Sequence, residues 1–374
     1  MGKEINLKTV CKENMCAGCM ACLEVCSKQA IKMQDSLNAF NAAIDETLCI
    51  DCNACHKICQ YNNNVEMAKP IKWYQGWAAN DGERKSSSSG GLGVSLAKTF
   101  LEKYGCVCAC VFKNGEFRFE FSDSQNDIVK FSGSKYVKSD PTGIYKQIQA
   151  KLRLGENVLF IGLPCQVAAV RLYMGAKYND NLYTVDLICH GSPSPALLEM
   201  FLKDYQVSLK TVNDIQFRRK NNFHVYNGDK GIGSEKVQDL YTFAFLSCLD
   251  YTENCYVCKY ARLYRVSDIT IGDSWGSELA GEEQKKGISL ILCQTLKGKQ
   301  LLYDTNLHLE DVDLNKAIEA NHQLKEPSQM PDERNKFFFE ILSSNNFKKA
   351  IKNCYSKVYY KKQLKLLLAK IGVI

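Results

Sequence analysis

The 374-residue sequence predicts a small, cysteine-dense α+β module, then a larger mixed α/β domain, then a basic helical extension. Three observations predict it. Eight of the 19 cysteines fall in two runs of identical spacing before residue 60. From about residue 71, short apolar runs alternate with helical stretches, as when strands and helices build one sheet. The last 28 residues, from Phe347, hold eight lysines and no Asp or Glu. The expected boundaries are 1–68, 71–325 and 326–374.

In the first module, Cys16, Cys19, Cys22 and Cys26 follow C-x2-C-x2-C-x3-C, and Cys49, Cys52, Cys55 and Cys59 repeat it 33 residues later. Cysteines three apart in a tight loop bring three thiolates onto one cubane, and the fourth projects toward the other cluster. One 4Fe-4S cluster is therefore assigned to Cys16, Cys19, Cys22 and Cys59, and the other to Cys49, Cys52, Cys55 and Cys26. Residues 8–66 resemble the two-cluster bacterial ferredoxins, so the fold class is an α+β ferredoxin-like dicluster module followed by a larger mixed α/β domain. That family places Pro after the fourth cysteine, where this chain has Ser27 and Gln60; the change touches turn stiffness, not ligation. Cys52-Asn-Ala-Cys55-His56 also matches the haem attachment pattern, but its cysteines belong to the longer repeat. Cys11 lies outside the repeat and reads as an ordinary thiol.

In the second unit, WYQGWAA (73–79) reads as a strand, SSSSGG (86–91) as a polar turn, and LGVSLAKTFLEKYG as a helix with Leu92, Leu96 and Phe100 on one face. CVCACVFKNGEFRFEF reads as a hairpin turning at Asn114-Gly115, with Phe117, Phe119 and Phe121 alternating. Cys106, Cys108 and Cys110 share one face of its first strand and read as a buried strand face. NVLFIG, LYTVDLIC, DITIG and ISLILCQT read as further strands, and PCQVAAVRLYMG and PALLEMFLKDY as helices.

Eight motifs then occur in one order: SSSSGG (86–91), GSKYVKSD (133–140), GLPCQVAAV (162–170), DLICHGSPSP (186–195), FRRK (217–220), NCYVCKYA (254–261), SDITIGDSWG (267–276) and KGISLILCQT (286–295). Together, over residues 73–305, they resemble the beta-subunit family of coenzyme F420 hydrogenases and dehydrogenases. The resemblance implies an FAD-bearing, iron-sulfur oxidoreductase that passes electrons between a deazaflavin and 4Fe-4S clusters. The residues suit such a role. Ser88, Ser89, Gly90 and Gly91 precede a helix, whose N-terminal N–H groups and dipole favour a pyrophosphate. Lys135, Arg218 and Lys220 offer cations to an anionic ligand. Asp273 follows a strand, where α/β proteins place ligand contacts, and Trp275 reads equally as contact or packing. The family's Gly-Trp after the basic run is replaced by Asn221-Asn222-Phe223, which weakens the expectation that coenzyme F420 itself is the substrate. His190 reads as a turn hydrogen bond ahead of a proton relay, and His224 as structural.

GLPCQ and DLICHG set Cys165 and Cys189 just past two strands. A loop carrying Cys255 and Cys258 over the same edge would bring four thiolates to one centre. A third 4Fe-4S cluster is expected there, ahead of a four-thiolate zinc site. Cys248 is the competing fourth ligand, and a redox dithiol is the third reading.

The basic tail gives the chain its formal charge of +7, the remainder summing to −1 with 40 basic against 41 acidic side chains. A neutral body with one basic tail is a poor nucleic-acid footprint. The tail is expected to pack Leu364, Leu367 and Leu368 on the body, with partner docking or weak membrane-surface association as alternatives. No stretch reaches the ~18 apolar residues of a membrane span, and no signal peptide is evident. An odd number of cysteines in a long chain reads as reduced thiolates, which places the protein in the cytoplasm. The expected partners are a redox protein or a small-molecule electron donor or acceptor. Two other functions stay open: a non-catalytic electron-transfer subunit, and a zinc-bearing module fused to a ferredoxin.

Overall fold

The computed structural model describes residues 8–371; the first seven residues of the 1–68 segment and the last three of 326–374 lie outside it. The repeat of cysteine spacing is also a repeat of backbone. Two one-turn helices, α1 (Ala21–Val25) and, after the intervening hairpin, α2 (Ala54–Ile58), each begin behind a left-handed residue, Met20 and Asn53, both at φ 57°. Between them β1 (Ile31–Asp35) pairs antiparallel with the fully buried β2 (Phe40–Ile44). Isolated bridges from Thr9 to Ala43 and from Cys16 to Phe40 tie the first cysteine loop to this hairpin.

The chain then runs β3 (Lys72–Ala78), α3 (Asp81–Ser86), α4 (Leu92–Lys103), β4 (Gly105–Lys113), β5 (Glu116–Ser122), α5 (Ile144–Arg153), β6 (Asn157–Gly162), α6 (Pro164–Met174), β7 (Leu182–Leu187) and α7 (Pro195–Lys203). It continues through β8 (Ile215–Arg219), β9 (Asn222–Asn227), β10 (Lys230–Gly231), α8 (Leu240–Leu246), β11 (Ile269–Asp273), α9 (Gly281–Lys286), β12 (Ser289–Cys293), α10 (Leu296–Asp304), β13 (Leu307–Glu310) and α11 (Leu314–Ala320). Eight strands form one mixed sheet in the order β13-β3-β12-β11-β7-β6-β4-β5. Its centre, β4-β6-β7-β11, is parallel, and both flanks are antiparallel. Val158, Leu159 and Phe160 of β6 are all fully buried, as a strand covered on both faces requires. The β4–β5 hairpin turns at Asn114 (φ 54°) and Gly115 (φ 84°), the two positive φ values of a type I′ turn. Cys106, Cys108 and Cys110 pack in the core against Phe119, Ile148 and Val158. FRRK lies in a separate antiparallel sheet, β10-β9-β8, that turns at left-handed Lys220.

Three helices close the chain: α12 (Arg334–Ser344), α13 (Phe347–Cys354) and α14 (Ser356–Lys370). Phe347, Ala350 and Ile351 of α13 are fully buried against Phe201, Tyr241 and Phe337. α14 departs from the expected packing. Its buried side chain is Tyr359, while Leu364 and Leu367 are exposed and Leu368 is half-buried. The helix has apolar residues on two faces, and the body takes the face of Tyr359, where the Lys362 Nζ lies 5.4 Å from the Phe243 ring centroid and donates to the Gln238 carbonyl at 2.7 Å. Among the described residues no helix is long and apolar enough to cross a membrane.

Candidate functional site

The eight cysteines of the repeat line two cavities, and each fourth cysteine crosses to the other run. Cys16, Cys19, Cys22 and Cys59 line the first, with about 310 Å³ of free space. Cys26, Cys49, Cys52 and Cys55 line the second, with about 510 Å³. Backbone amides point at the sulfurs in matching places: Gly18 N lies 3.4 Å from Cys16 Sγ, and Asp51 N lies 3.4 Å from Cys49 Sγ. Thiols gathered four at a time with N–H groups aimed at sulfur are the donor set of an iron-sulfur cluster, so the residues fit the group. The four repeat cysteines of the first cavity are all buried, whereas Cys52 of the second is exposed, beside exposed Leu48 and Ile50.

A fifth thiol stands at the first cavity. Cys11, read as an ordinary thiol, lines it beside Cys16 and Cys59, and their thiols act on one another. That contact pulls Cys59 down to about 6 and is the largest cause holding Cys16 low. No spacing pattern marks Cys11, because the pairing of Thr9 with Ala43 delivers it.

A third group of thiols gathers at one end of the large sheet. β6 and β7 run parallel with Gly162 opposite Asp186, and each strand reaches a cysteine three residues later, Cys165 and Cys189. The short turn Glu253–Val257 brings Cys255 and Cys258 to them. The proximity shows in the thiol chemistry: Cys189 is pushed up by burial and then by Cys255, Cys165 and Cys258. Cys165 is pushed up to about 12 by burial, with Cys258 and Cys255 adding to it against nearby Lys138. Cys248, left-handed at φ 54° after α8, packs against the cluster of Phe245, Tyr251, Cys255 and Tyr256, and the groups that act on its thiol are Ser328, Tyr251 and Asp250. Among the described residues no three His, Cys, Asp or Glu side chains close on a point as for a single metal ion, and this holds for all three thiol groups.

Buried tyrosines stand between the third group and the first cavity. Tyr260 Oη donates to Gln60 Oε1 at 2.6 Å, and its charged neighbours are Cys165, Cys258, Cys19 and Cys59. Tyr145 Oη donates to the Cys19 carbonyl and feels both Cys19 and Cys165. Lys138 Nζ donates to the Ala17 carbonyl at 3.1 Å. Gln60 occupies the position where two-cluster ferredoxins carry Pro, and here its amide is a bridge. None of these contacts is legible in spacing.

The other predicted residues meet around the start of α4. Ser88 Oγ accepts from Ser134 N at 2.9 Å, Ser89 Oγ donates to the Ile288 carbonyl at 2.9 Å, and Gly90 N donates to Ser289 Oγ at 3.0 Å. A Cβ on Gly90 would stand 2.6 Å from the Gly76 carbonyl oxygen, so only glycine fits. Gly91 caps α4 at φ 91°. Lys220 Nζ donates to the Ser89 carbonyl at 2.8 Å and to that of Arg84. Burial, then Arg84 and Arg218, push Lys220 down to about 8. Arg218 forks onto Asp273 at 2.6 and 3.1 Å, reaches Tyr136 Oη at 3.4 Å, and lies over Phe223 at 4.5 Å and Trp275 at 5.9 Å. Lys135 is held otherwise: its ammonium donates to the carbonyls of Phe131, Ser132 and Gly133 in its own loop, and its charged neighbours are Cys110 and Asp214.

His190 lies between this group and Cys189. Its Nδ1 is 2.8 Å from Gln323 Nε2, its carbonyl accepts from Ser328 Oγ, and burial pushes it down to about 4. His224 is fully buried, with Nε2 3.0 Å from the Ile232 carbonyl and Nδ1 3.3 Å from Asp239.

Residues 155–314 match the family model for the C terminus of the coenzyme F420 hydrogenase/dehydrogenase beta subunit, and residues 15–63 match that of the 4Fe-4S dicluster domain. No curated protein matches the chain. Among solved structures, a chain from the F420-reducing NiFe hydrogenase complex of Methanosarcina barkeri, studied by xenon derivatization, is similar at TM-score 0.52 and 20% identity, over 75% of this chain and 96% of that one. At that identity the likeness is one of fold.

Proposed function

From a chain that carries the C-terminal domain of the coenzyme F420 hydrogenase/dehydrogenase beta-subunit family behind a 4Fe-4S dicluster domain, we propose an iron-sulfur flavoprotein oxidoreductase that exchanges a hydride with a deazaflavin-like donor or acceptor and passes single electrons through 4Fe-4S centres. The observation that carries it is the order of the groups: the turn before α4, then the four thiols at the sheet end, then the two cysteine cavities. Asp273 and Cys189 each follow, by two residues, the parallel pair Ile271 and Leu187, which joins the first two groups.

Cys165, Cys189, Cys255 and Cys258 would hold the third cluster, and Ser88 to Gly91 with Arg218 and Lys220 would hold the flavin pyrophosphate. Bound there, FAD would supply the exchange between a two-electron hydride step and one-electron steps. The chain's own part is positional. Gly90 keeps the turn against the sheet, Asp273 fixes the Arg218 fork, and Lys220 contributes a cation whose charge depends on pH near 8. Tyr145 and Tyr260 exclude water between the third thiol group and the first cavity. The exposed second cavity suits exchange with a partner, either an electron-carrier protein or a subunit of a larger complex, in the cytoplasm.

Anaerobic purification followed by absorbance, flavin and metal analysis tests this. FAD with about 12 iron per chain supports it; about 8 iron with one zinc and no flavin overturns it. Hydride exchange with reduced coenzyme F420, NADH and NADPH then identifies the donor, and silence toward all three favours the non-catalytic subunit.

A further inference from the structure

The face of α14 turned from the body is itself apolar. Tyr360, Leu364, Leu367 and Ile371 recur at the spacing that places residues on one side of a helix. They are 58%, 58%, 60% and 72% exposed. At 1.5 Å per residue the stripe runs for about 16 Å. By the same helical step Lys357, Lys361 and Lys365, all exposed, line one flank, and exposed Lys370 stands on the other. Residues 347–374 contain no Asp or Glu, so every charged side chain that this segment itself carries is a lysine.

We propose that α14 is an interfacial anchor, which lays this stripe into the headgroup region of an anionic lipid bilayer while the flanking lysines meet lipid phosphates. The chemistry favours a bilayer over a protein. Surfaces that bind proteins are depleted of lysine at their centre and rely on aromatic and arginine anchors in pockets. A lysine-flanked strip of leucine, isoleucine and tyrosine is instead what the water–lipid boundary accepts, because each lysine stem reaches outward while the aliphatic groups enter the acyl edge. The face opposite holds the helix on the body through Tyr359 and Lys362, so the anchor is rigidly presented.

The test uses the full chain, purified anaerobically, in co-sedimentation with phosphatidylcholine vesicles with or without about 30 mol % phosphatidylglycerol. The expected result is binding to the anionic vesicles, weaker by about tenfold or more on phosphatidylcholine alone and weakened by salt. Leu364→Glu/Leu367→Glu, at exposed positions, should abolish binding without changing iron content or melting temperature. Lys361→Gln/Lys365→Gln should weaken binding to the anionic vesicles only. Equal binding to both lipids, or binding that survives Leu364→Glu/Leu367→Glu, overturns the proposal. So does indifference to both lipids; if Leu364→Glu/Leu367→Glu then also loses affinity for an acidic electron-carrier protein, the occupant is a protein.

Discussion

Cys165 and Cys189 each stand three residues past the paired Gly162 and Asp186 of adjacent parallel strands, Cys165 in the first turn of α6 and Cys189 in the loop after β7. Neighbouring strands lie about 4.8 Å apart, so this register brings both chain exits, and with them the two thiols, to the same end of the sheet. Replacing Cys165 or Cys189 by Ser should remove one cluster and leave two, lowering iron from about 12 to about 8 per chain with the dicluster signal intact. Iron counts and low-temperature EPR of the reduced protein check it. Unchanged iron in both variants would show that these thiols ligate nothing.

Arg218 and Asp273 form a bidentate pair in which the guanidinium side chain is 3% exposed and the carboxylate 21%. Breaking such a pair from one side strands a charge where water cannot reach it. Asp273→Ala should therefore cost about 3 kcal/mol in urea unfolding. Arg218→Lys should not restore stability, since an ammonium cannot fork onto both oxygens. Arg218→Met combined with Asp273→Leu should recover most of the loss, as apolar replacements of buried pairs do. Asp273→Ala with unaltered unfolding would mean that the site is wetter than the geometry describes.

The sheet was legible where burial leaves a local pattern. The continuous apolar run of β6 announces a strand covered on both sides, and the alternation Phe117, Phe119, Phe121 announces a hairpin. The thiol positions of GLPCQ and DLICHG were legible for the same reason, because each cysteine ends an apolar run. Contacts between distant segments left no such trace: Tyr260 meets Gln60 across 200 residues, and Cys11 meets Cys59 through a strand bridge. Lys135 was legible as a cation in GSKY, but not that its ammonium donates to three carbonyls of its own loop. In α14 apolar residues on both faces made the choice of packing face ambiguous, and only the position of Phe243 and Gln238 decides it.

The Cys11 thiol lies beside Cys16 and Cys59, two expected ligands of the first cluster, and its one S–H can be given to either sulfur. Hydrogen bonds to cluster sulfurs favour the reduced, more negative state and so raise the potential. Cys11→Ala should leave iron content unchanged and lower one midpoint potential by about 20–60 mV, the one-electron equivalent of a hydrogen bond worth ~0.5–1.5 kcal/mol. Redox titration followed by EPR measures it. Loss of four iron atoms from the variant would instead make Cys11 a ligand.

Lys220 should make anion binding at the turn before α4 depend on pH. Its ammonium is pushed from 10.5 to about 8, first by burial and then by Arg84 and Arg218. Below about 8 the side chain is charged and attracts a pyrophosphate; above it the proton leaves and one of the local cations is lost. FAD affinity, measured by equilibrium dialysis, should thus be flat up to about pH 8 and fall above it, by at most about tenfold per pH unit. Folding responds with the opposite sense. Between about 8 and 10.5 the unfolded chain holds the proton that the folded chain has released, so this residue's contribution to stability improves as the pH rises. Lys220→Arg, which stays charged throughout, should flatten the affinity profile while keeping the binding seen at pH 7. A wild-type profile already flat from pH 7 to 9.5 would remove Lys220 from the anion site.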